Sequence, residues 1–190
     1  MSSLKMGTAT LATENAGSID ISPSAFPAGT ILNVQQVVKN GTQQVTSTSY
    51  VLLTELTIDI TPKSSNNKFL LEYHINGNIY NDQNHGYLQL YRNGSAISGA
   101  QADSSGTDSL GSRTGATSVI NTAMNLDGSQ LTYSMKYLDS PSTTSQITYA
   151  VYCKSSTGPV VYINRSGRDN DGFTPFTCEI VMCDCPSSIL

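Results

Sequence analysis

The feature that most constrains this chain is a strict alternation of apolar and polar residues in short runs that end at turn residues. The clearest run spans 68–79, where one side of an extended chain would carry Phe69, Leu71, Tyr73 and Ile75. Side chains of a strand point alternately to its two faces, so a period of two predicts a half-buried antiparallel strand and not a helix.

The same alternation recurs along most of the chain. We predict further strands at 31–38, 50–60, 86–91, 95–97, 118–124, 131–137, 147–153, 160–163 and 176–183. Asn40-Gly41 and Asn93-Gly94 are strong signals for tight hairpin turns. Short strands at this spacing indicate two packed sheets or a barrel. We therefore expect an all-β, antiparallel β-sandwich of jelly-roll-like form.

The first residues differ from the rest. They are small, polar and poorly periodic, and Pro23 and Pro27 close them off. Their one strand-like piece is 17–21, in which Ile19 and Ile21 would share a face. We predict three parts: an extended N-terminal docking arm at 1–29, the β-sandwich at 30–185 and a short C-terminal tail at 186–190.

Charge and hydropathy exclude two classes of partner. The net charge is −4, and the 10 Lys and Arg residues are scattered singly, without the basic stripe that nucleic-acid binding requires. No apolar run approaches the ~18 residues of a membrane span. The first residues lack the apolar core of a signal peptide, so we expect synthesis in the cytoplasm without Sec-type export.

No catalytic or cofactor site is expected. The two histidines, His74 and His85, fall on the outward face of a predicted strand and in a polar loop, without a nucleophile motif nearby. The acidic residues are mostly single Asp residues at turn positions. A glycosidase needs two carboxylates at a set separation, and two Asp residues that meet in space would keep that alternative open.

The cysteines are expected to be free, largely buried thiols. They are Cys153, Cys178, Cys183 and Cys185. Disulfides formed after lysis and a metal site at Cys183 and Cys185 are the alternatives, although their spacing is tight for zinc. The segment 168–172 resembles the start of a calcium loop but lacks the glutamate of its twelfth position. We expect no metal, and the redox state of the thiols stays open.

One polar loop is a better candidate for binding than for catalysis. It contributes the receptor-contact candidates Tyr80, Asn84, His85 and Tyr87. Aromatic faces beside amide and imidazole groups suit sugar recognition, and binding residues are often carried on loops. A plain solvated loop is the alternative interpretation.

Four motifs in order carry a resemblance to a known family. They are 29–37 (GTILNVQQV), 56–68 (LTIDITPKSSNNK), 137–144 (YLDSPSTT) and 161–166 (VYINRS). Together they resemble the C-terminal domain of phage tail-fibre proteins, particularly those of marine and cyanobacterial phages. The resemblance implies a virion structural protein, a β-sandwich and a homotrimer, and it transfers no catalytic residue. Only about 29 residues precede the domain here, whereas tail fibres usually carry long shafts.

The sequence therefore predicts a non-enzymatic phage virion protein, most simply a short tail fibre or fibre tip. Three copies would pack through outward apolar residues, for which Val51 and Leu53 are the candidates. The arm at 1–29 would dock onto another virion protein, and the loops would meet the host, with a surface glycan as one candidate ligand. A capsid decoration protein of the same fold is the main alternative; a depolymerase-type enzyme and a host lectin-like module are the others.

Overall fold

A computed structural model describes residues 2–22, 25, 30–79, 84–102, 107–108, 111–112, 115–121, 130–167 and 177–185. Apart from a 3-10 turn at Ser98–Ala100 and the 3-10 residue Ala25, the regular structure of these residues is strand. The prediction of an all-β fold is thus confirmed. The predicted tail at 186–190 and the calcium-like segment at 168–172 lie outside the described residues.

Sixteen strands follow one another along the described residues. They are β1 (Ser3–Met6), β2 (Ala9–Asn15), β3 (Ser18–Ile21), β4 (Asn33–Lys39), β5 (Gln43–Val45), β6 (Val51–Ile60), β7 (Lys68–Ile79), β8 (Gly86–Arg92), β9 (Ser95–Ala96), β10 (Thr107–Asp108), β11 (Gly111–Ser112), β12 (Ser118–Ile120), β13 (Leu131–Asp139), β14 (Ile147–Ser155), β15 (Val161–Ile163) and β16 (Cys178–Cys185). Strands β10 and β11 pair only with each other.

Two antiparallel sheets form the sandwich. The six-stranded sheet has the order β4-β16-β7-β15-β5, with β13 on the other side of β7. The five-stranded sheet has the order β12-β8-β14-β6, with β9 beside β8. The pairs β4/β16, β6/β14, β7/β13 and β8/β12 are nested in sequence, the outermost pair joining the first strand of the sandwich to the last.

The inner faces of both sheets build one core. On β7 the side chains of Phe69, Leu71, Tyr73 and Ile75 are fully buried, as the alternation predicts. On β14 the buried set is Ile147, Tyr149, Val151 and Cys153. The period of two therefore identified the core-facing side of both strands, because one face of each packs against the opposite sheet.

Strand β6 departs from this regularity. Ala150 of β14 pairs with Thr57, but Tyr152 pairs with Leu52. Between these two pairs β14 advances by two residues while β6 advances by five. The three extra residues of β6 lie within 53–56. An odd excess exchanges the two faces of a strand, because side chains alternate at every step.

This bulge brings Leu53 and Leu56 into the same core. Both are fully buried, while Thr54 and Glu55 between them are exposed. Glu55 has φ +72°, in the left-handed region where the chain bends out of a regular strand. The bulge therefore explains why both alternating sets of β6 contain apolar residues, without a contact to another subunit.

One of the two predicted hairpins forms. Asn93 and Gly94 have φ of +51° and +74° and join β8 to β9, as a type I′ turn requires. The prediction at Asn40-Gly41 is wrong, because β4 pairs with β16 and β5 with β15. There the Nδ2 of Asn164 donates to the carbonyl oxygens of Lys39 and Gly41, so long-range contacts hold the segment.

The N-terminal residues form their own antiparallel sheet, in the order β1-β2-β3. The predicted strand-like piece coincides with β3, whereas β1 and β2 had no clear signal. Several large apolar side chains are exposed on this sheet: Leu4, Met6, Ile19 and Ile21. Asp20 lies 4.0 Å from the Nζ of Lys63, in the loop that follows β6.

The register gives the sandwich two distinct ends. The chain enters at Asn33, which lies opposite Asp184 of the last described strand, and β7 starts beside them because Lys68 faces Cys185. We call this the proximal end. The distal end carries the end of β7 at Ile79, the start of β8 and the end of β14. The 12 residues of β7 place the two ends about 35–40 Å apart.

Candidate functional site

The described receptor-contact candidates lie together at the distal end. The backbone N–H of His85 donates to the Oγ of Ser156, and the backbone N–H of Ser156 donates to the carbonyl oxygen of His85. The Oγ1 of Thr157 donates to the Oδ1 of Asn84. These bonds tie the start of β8 to the turn after β14. Tyr80 lies outside the described residues.

Tyr87 joins these residues to a row of aromatic side chains on the outer face of the five-stranded sheet. We call this the aromatic row; it consists of His85, Tyr87, Tyr50, Tyr91 and Tyr152. The His85 and Tyr87 rings are nearly parallel, with centroids 6.2 Å apart. Tyr91 stacks on Tyr152 at 3.9 Å, and Tyr50 lies 6.1 Å from Tyr91. All five side chains are partly exposed, so the row is a surface and not a second core.

Alternation on two neighbouring strands places the row. On β8 the residues Leu88 and Leu90 enter the core, so Tyr87 and Tyr91 face outward. Tyr152 does the same on β14, and Tyr50 directly precedes β6. The hydroxyl of Tyr50 donates to the carbonyl oxygen of Gly115 at 3.3 Å, which fixes its ring against the segment before β12.

Lys154 is the cation of the aromatic row. It extends from β14 opposite Tyr87, and its Nζ lies 4.8 Å from the centroid of Tyr50 and 5.3 Å from that of Tyr87. Both distances are within the range of cation–π attraction. The ammonium group is therefore held between two rings near the distal end.

The phenols beside this cation stay neutral. Burial, with smaller effects of Tyr91, Cys153 and Tyr87, raises the pKa of Tyr50 well above its usual range. Burial and the neighbouring Tyr152 also raise the pKa of Tyr91. At neutral pH neither side chain supplies a negative charge to Lys154.

The trimer-contact prediction is wrong for Leu53. Its side chain is fully buried in the core of its own chain, because the bulge in β6 turns it inward. Val51 packs against the same core and is only partly exposed. Exposed apolar residues of the sandwich lie elsewhere: Ile31, Val34, Val38, Val119 and Leu131.

A polar cluster occupies the outer face of the six-stranded sheet. The Nε2 of His74 lies 3.2 Å from an Oε1 of Glu72 and 3.8 Å from an Oε1 of Glu179, and its Nδ1 lies 2.7 Å from the hydroxyl of Ser134. Lys136 contacts Glu72 at 3.0 Å; this hydrogen bond is the main cause that lowers the pKa of Glu72. His74 thus lies on an outer face, as expected. Among the described residues, no group of three or more His, Cys, Asp or Glu is arranged to hold a metal ion.

The four cysteines occupy two environments. Cys153 and Cys178 are buried, and burial raises the pKa of their thiols to about 12 and about 11. Cys183 and Cys185 are partly exposed on the outer face of β16. All four are free thiols.

The proximal end holds a partly buried ion pair that sequence reasoning did not identify; the Asp139 side chain is buried and that of Arg92 is 35% exposed. Arg92 donates through Nη1 to both carboxylate oxygens of Asp139, at 2.9 and 2.7 Å, and the hydroxyl of Tyr149 donates to the same carboxylate at 2.6 Å. Burial lowers the pKa of Arg92, but Asp139 outweighs it and the net shift is upward. A cavity of about 290 Å³ opens beside this pair, between the start of β9 and the end of β13. Because Asp139 already neutralises Arg92, the pair fastens β8 to β13 and leaves no net charge in the cavity.

Sequence reasoning identified the distal loop but missed most of the aromatic row. Tyr50, Tyr91, Tyr152 and Lys154 are far apart in the sequence, and the pairing of β14 with both β6 and β8 brings them together. The sequence signal that could have found the row is the residue type at the outward positions of each strand. These positions carry Tyr and Lys, although Ser or Thr would be enough for solubility.

Comparison with known proteins adds no relative. No family model matches the chain, and no curated protein matches it. Within the described part of the chain, no helix is long and apolar enough to cross a membrane.

Proposed function

We propose that this chain is a non-enzymatic virion structural protein of a phage, a short tail fibre or fibre tip that displays its distal end to the host. It is made in the host cytoplasm and becomes part of the virion. The resemblance of four ordered motifs to phage tail-fibre domains motivates the proposal. The two packed sheets provide a scaffold for a binding surface, and the described receptor-contact candidates Asn84, His85 and Tyr87 lie on that surface.

The polarity of the sandwich is the observation that carries the proposal. The N-terminal segment joins β4 at the proximal end, while Asn84, His85 and Tyr87 lie at the distal end. A protein fixed to a particle through residues 1–29 would therefore present these side chains about 35–40 Å from its attachment, given the rise of a strand. Separate ends for attachment and display are what a host-contact module needs.

The exposed apolar side chains of β1 and β3 support docking of residues 1–29 onto another virion protein. Leu4, Ala12 and Ile19 line an apolar hollow of about 380 Å³ on the N-terminal sheet. Small isolated sheets are marginally stable unless an apolar face is covered. The virion partner would cover this face.

Exposed apolar side chains support a trimer contact on the outer face of the six-stranded sheet. Val34 and Val38 are 57% and 41% exposed there, and Cys183 and Leu70 continue the row that starts at Val34. We expect Val34→Asp to shift the protein from trimer to monomer in light scattering, because a charge would be buried between copies. Val119→Asp, on the edge of the other sheet, is the matched control. A wild-type monomer at micromolar concentration would contradict the trimer.

The nested strand pairs favour the jelly-roll form of the sandwich. A jelly roll can be described as one long antiparallel hairpin wrapped around a barrel. In such a hairpin the first strand pairs with the last, the second with the last but one, and the later pairs follow in the same order. Five nested pairs are present in the described strands, since β5 with β15 also belongs to the series.

Electron cryomicroscopy of the intact particle tests the function. Density of this chain at the tail, in threefold groups with residues 1–29 buried and Tyr87 distal, supports host attachment. Adsorption of particles that carry Tyr87→Ala, compared with Tyr162→Ala on the other sheet, then tests the distal surface.

Capsid decoration is the second candidate. The same outer faces would then hold capsomers together, and density would be spread over the capsid lattice. Binding of the purified protein to tail-less capsids would favour this alternative over a tail fibre.

A further inference from the structure

Lys154 lacks the carboxylate partner that three other cations of the sandwich have. Lys39, Lys136 and Arg92 each lie within 4.0 Å of a carboxylate, at 3.9, 3.0 and 2.7 Å. Lys154 instead contacts two tyrosine rings, and it forms no ion pair within the described residues. An ammonium group that is partly removed from water gains from an anion, and the described residues place no carboxylate beside this one.

The described side chains around Lys154 do not supply that anion in another form. Tyr50 is neutral at pH 7 because its pKa is raised, mainly by burial. The outward neighbours of Lys154 on β8 and β14 are Tyr87, Gln89 and Tyr152, none of which is acidic. The whole chain is acidic, with a net charge of −4, so this positive spot is a local exception.

We propose that the aromatic row binds an anionic saccharide, a hexose that carries a carboxylate or a phosphate. The apolar C–H face of the sugar packs on the partly exposed rings of His85 and Tyr87, and its acid group pairs with Lys154. Aromatic rings provide area at low entropic cost, and the cation provides selection by charge. This inference rests on the proposed role in host attachment and names the ligand class of that surface.

The two rings and the cation are close enough to serve one sugar. Tyr87 contacts both, since its ring lies 6.2 Å from the ring of His85 and 5.3 Å from the Nζ of Lys154. A pyranose ring with its exocyclic acid group spans about the same distance, so a single residue of a host polysaccharide reaches all three groups. The neutral cavity beside Arg92 lies at the proximal end and plays no part.

Three matched sugars test the proposal by saturation-transfer NMR. They are methyl β-D-glucopyranoside, methyl β-D-glucuronopyranoside and methyl β-D-glucopyranoside 6-phosphate, which differ only at the sixth carbon. We expect each acid to bind about tenfold more tightly than the neutral sugar, and the preference to shrink as salt is added. A preference for one acid identifies the source of the negative charge as carboxylate or phosphate.

Variants of Lys154 isolate the charge. Lys154→Met keeps the aliphatic length and should abolish the preference for the acids, while Lys154→Arg should restore it. Lys63→Met removes an exposed lysine at the proximal end and should change nothing. Native circular dichroism of each variant separates loss of binding from loss of fold.

Equal binding of all three sugars, no binding of either acid, or an unchanged preference in Lys154→Met would each overturn the inference. None of these results bears on where the chain sits in a particle. The location of the density in the virion tests the proposed function separately, so failure of one can be told from failure of the other.

Discussion

Strands β6 and β7 follow each other along the chain and are both rich in apolar residues, yet they use them differently. In β7 one alternating set is buried and the other carries Leu70, Glu72 and His74 on the outer face. In β6 the buried residues Leu53 and Leu56 belong to opposite alternating sets. Two apolar sets on one strand therefore indicate either a contact with another subunit or a bulge, and here the bulge is the cause.

The largest expected difference concerns two cysteines, one paired with a residue of β6 and the other with a residue of β7. Their thiols should differ strongly in reactivity. Cys153 pairs with Val51 of β6 and is buried, whereas Cys183 pairs with Leu70 of β7 on the outer face. We expect Cys183 to react with iodoacetamide at least about a thousandfold faster in the folded Val34→Asp monomer, in which the proposed contact between copies is absent. A buried thiol must wait for opening of the structure, and its pKa of about 12 leaves little thiolate at pH 8.

Mass spectrometry of the labelled sites provides the measurement. The Cys153→Ser and Cys183→Ser variants assign the labels, and unfolding in guanidinium should equalise the two rates. Slower labelling of Cys183 on assembly would further support a contact between copies at this face. Equal rates in the folded Val34→Asp monomer would show that the described inner and outer faces are assigned wrongly.

The next largest effect comes from shortening a leucine side chain on each of the two faces of β6. Leu53→Ala should reduce the free energy of unfolding by about 2–5 kcal/mol, because it leaves a cavity in the core. Leu52→Ala, on the outer face opposite Tyr152, should cost about 1 kcal/mol or less. Denaturation with urea gives both values, and the oligomeric state should be unchanged in both variants. A larger loss in Leu52→Ala would mean that the faces of β6 follow plain alternation.

The smallest effect concerns the charged outer face of β7. The pKa of Glu72 is lowered, first by its hydrogen bond with Lys136, so its ionised form stabilises the fold. That contribution is present above the pKa of the unfolded carboxyl and is lost as the pH falls through the lower, folded pKa. Glu72→Gln should cost no more than about 1 kcal/mol at pH 7, as for other partly exposed pairs.

The same variant should equal the wild type in strongly acidic solution, where Glu72 is protonated in both states. Asp59→Asn on β6 is the matched control on the other strand. A cost of Glu72→Gln that grows as the pH falls would contradict the direction of the shift.

The sequence predicted the elements whose signal is local. Alternation over 68–79 identified β7 and its buried face, and Asn93-Gly94 identified a hairpin, because both depend on neighbouring residues. The bulge at Glu55 was not predictable, since the excess of residues appears only against β14. Asn40-Gly41 failed for the same reason: pairing with distant strands outweighed a favourable turn sequence.

The residues of the candidate site also differ in how far the sequence could predict them. Asn84, His85 and Tyr87 were predicted from a short polar and aromatic segment. Tyr50 and Lys154 come from strands far away in the chain, and the register alone brings them to Tyr87. The N-terminal sheet had only the signal at Ile19 and Ile21, because its other strands are built of small polar residues.

The nested pairing of the first and last strands of the sandwich also decides how the domain carries mechanical load. Asn33 enters and Asp184 leaves side by side, so pulling these two points apart would break the hydrogen bonds between β4 and β16 one after another. A pull on Asn33 against the distal end runs along the strands instead, and loads that whole ladder in shear, since its bonds lie across the direction of force. The domain is therefore strongest along the axis that joins its point of entry to its far loops.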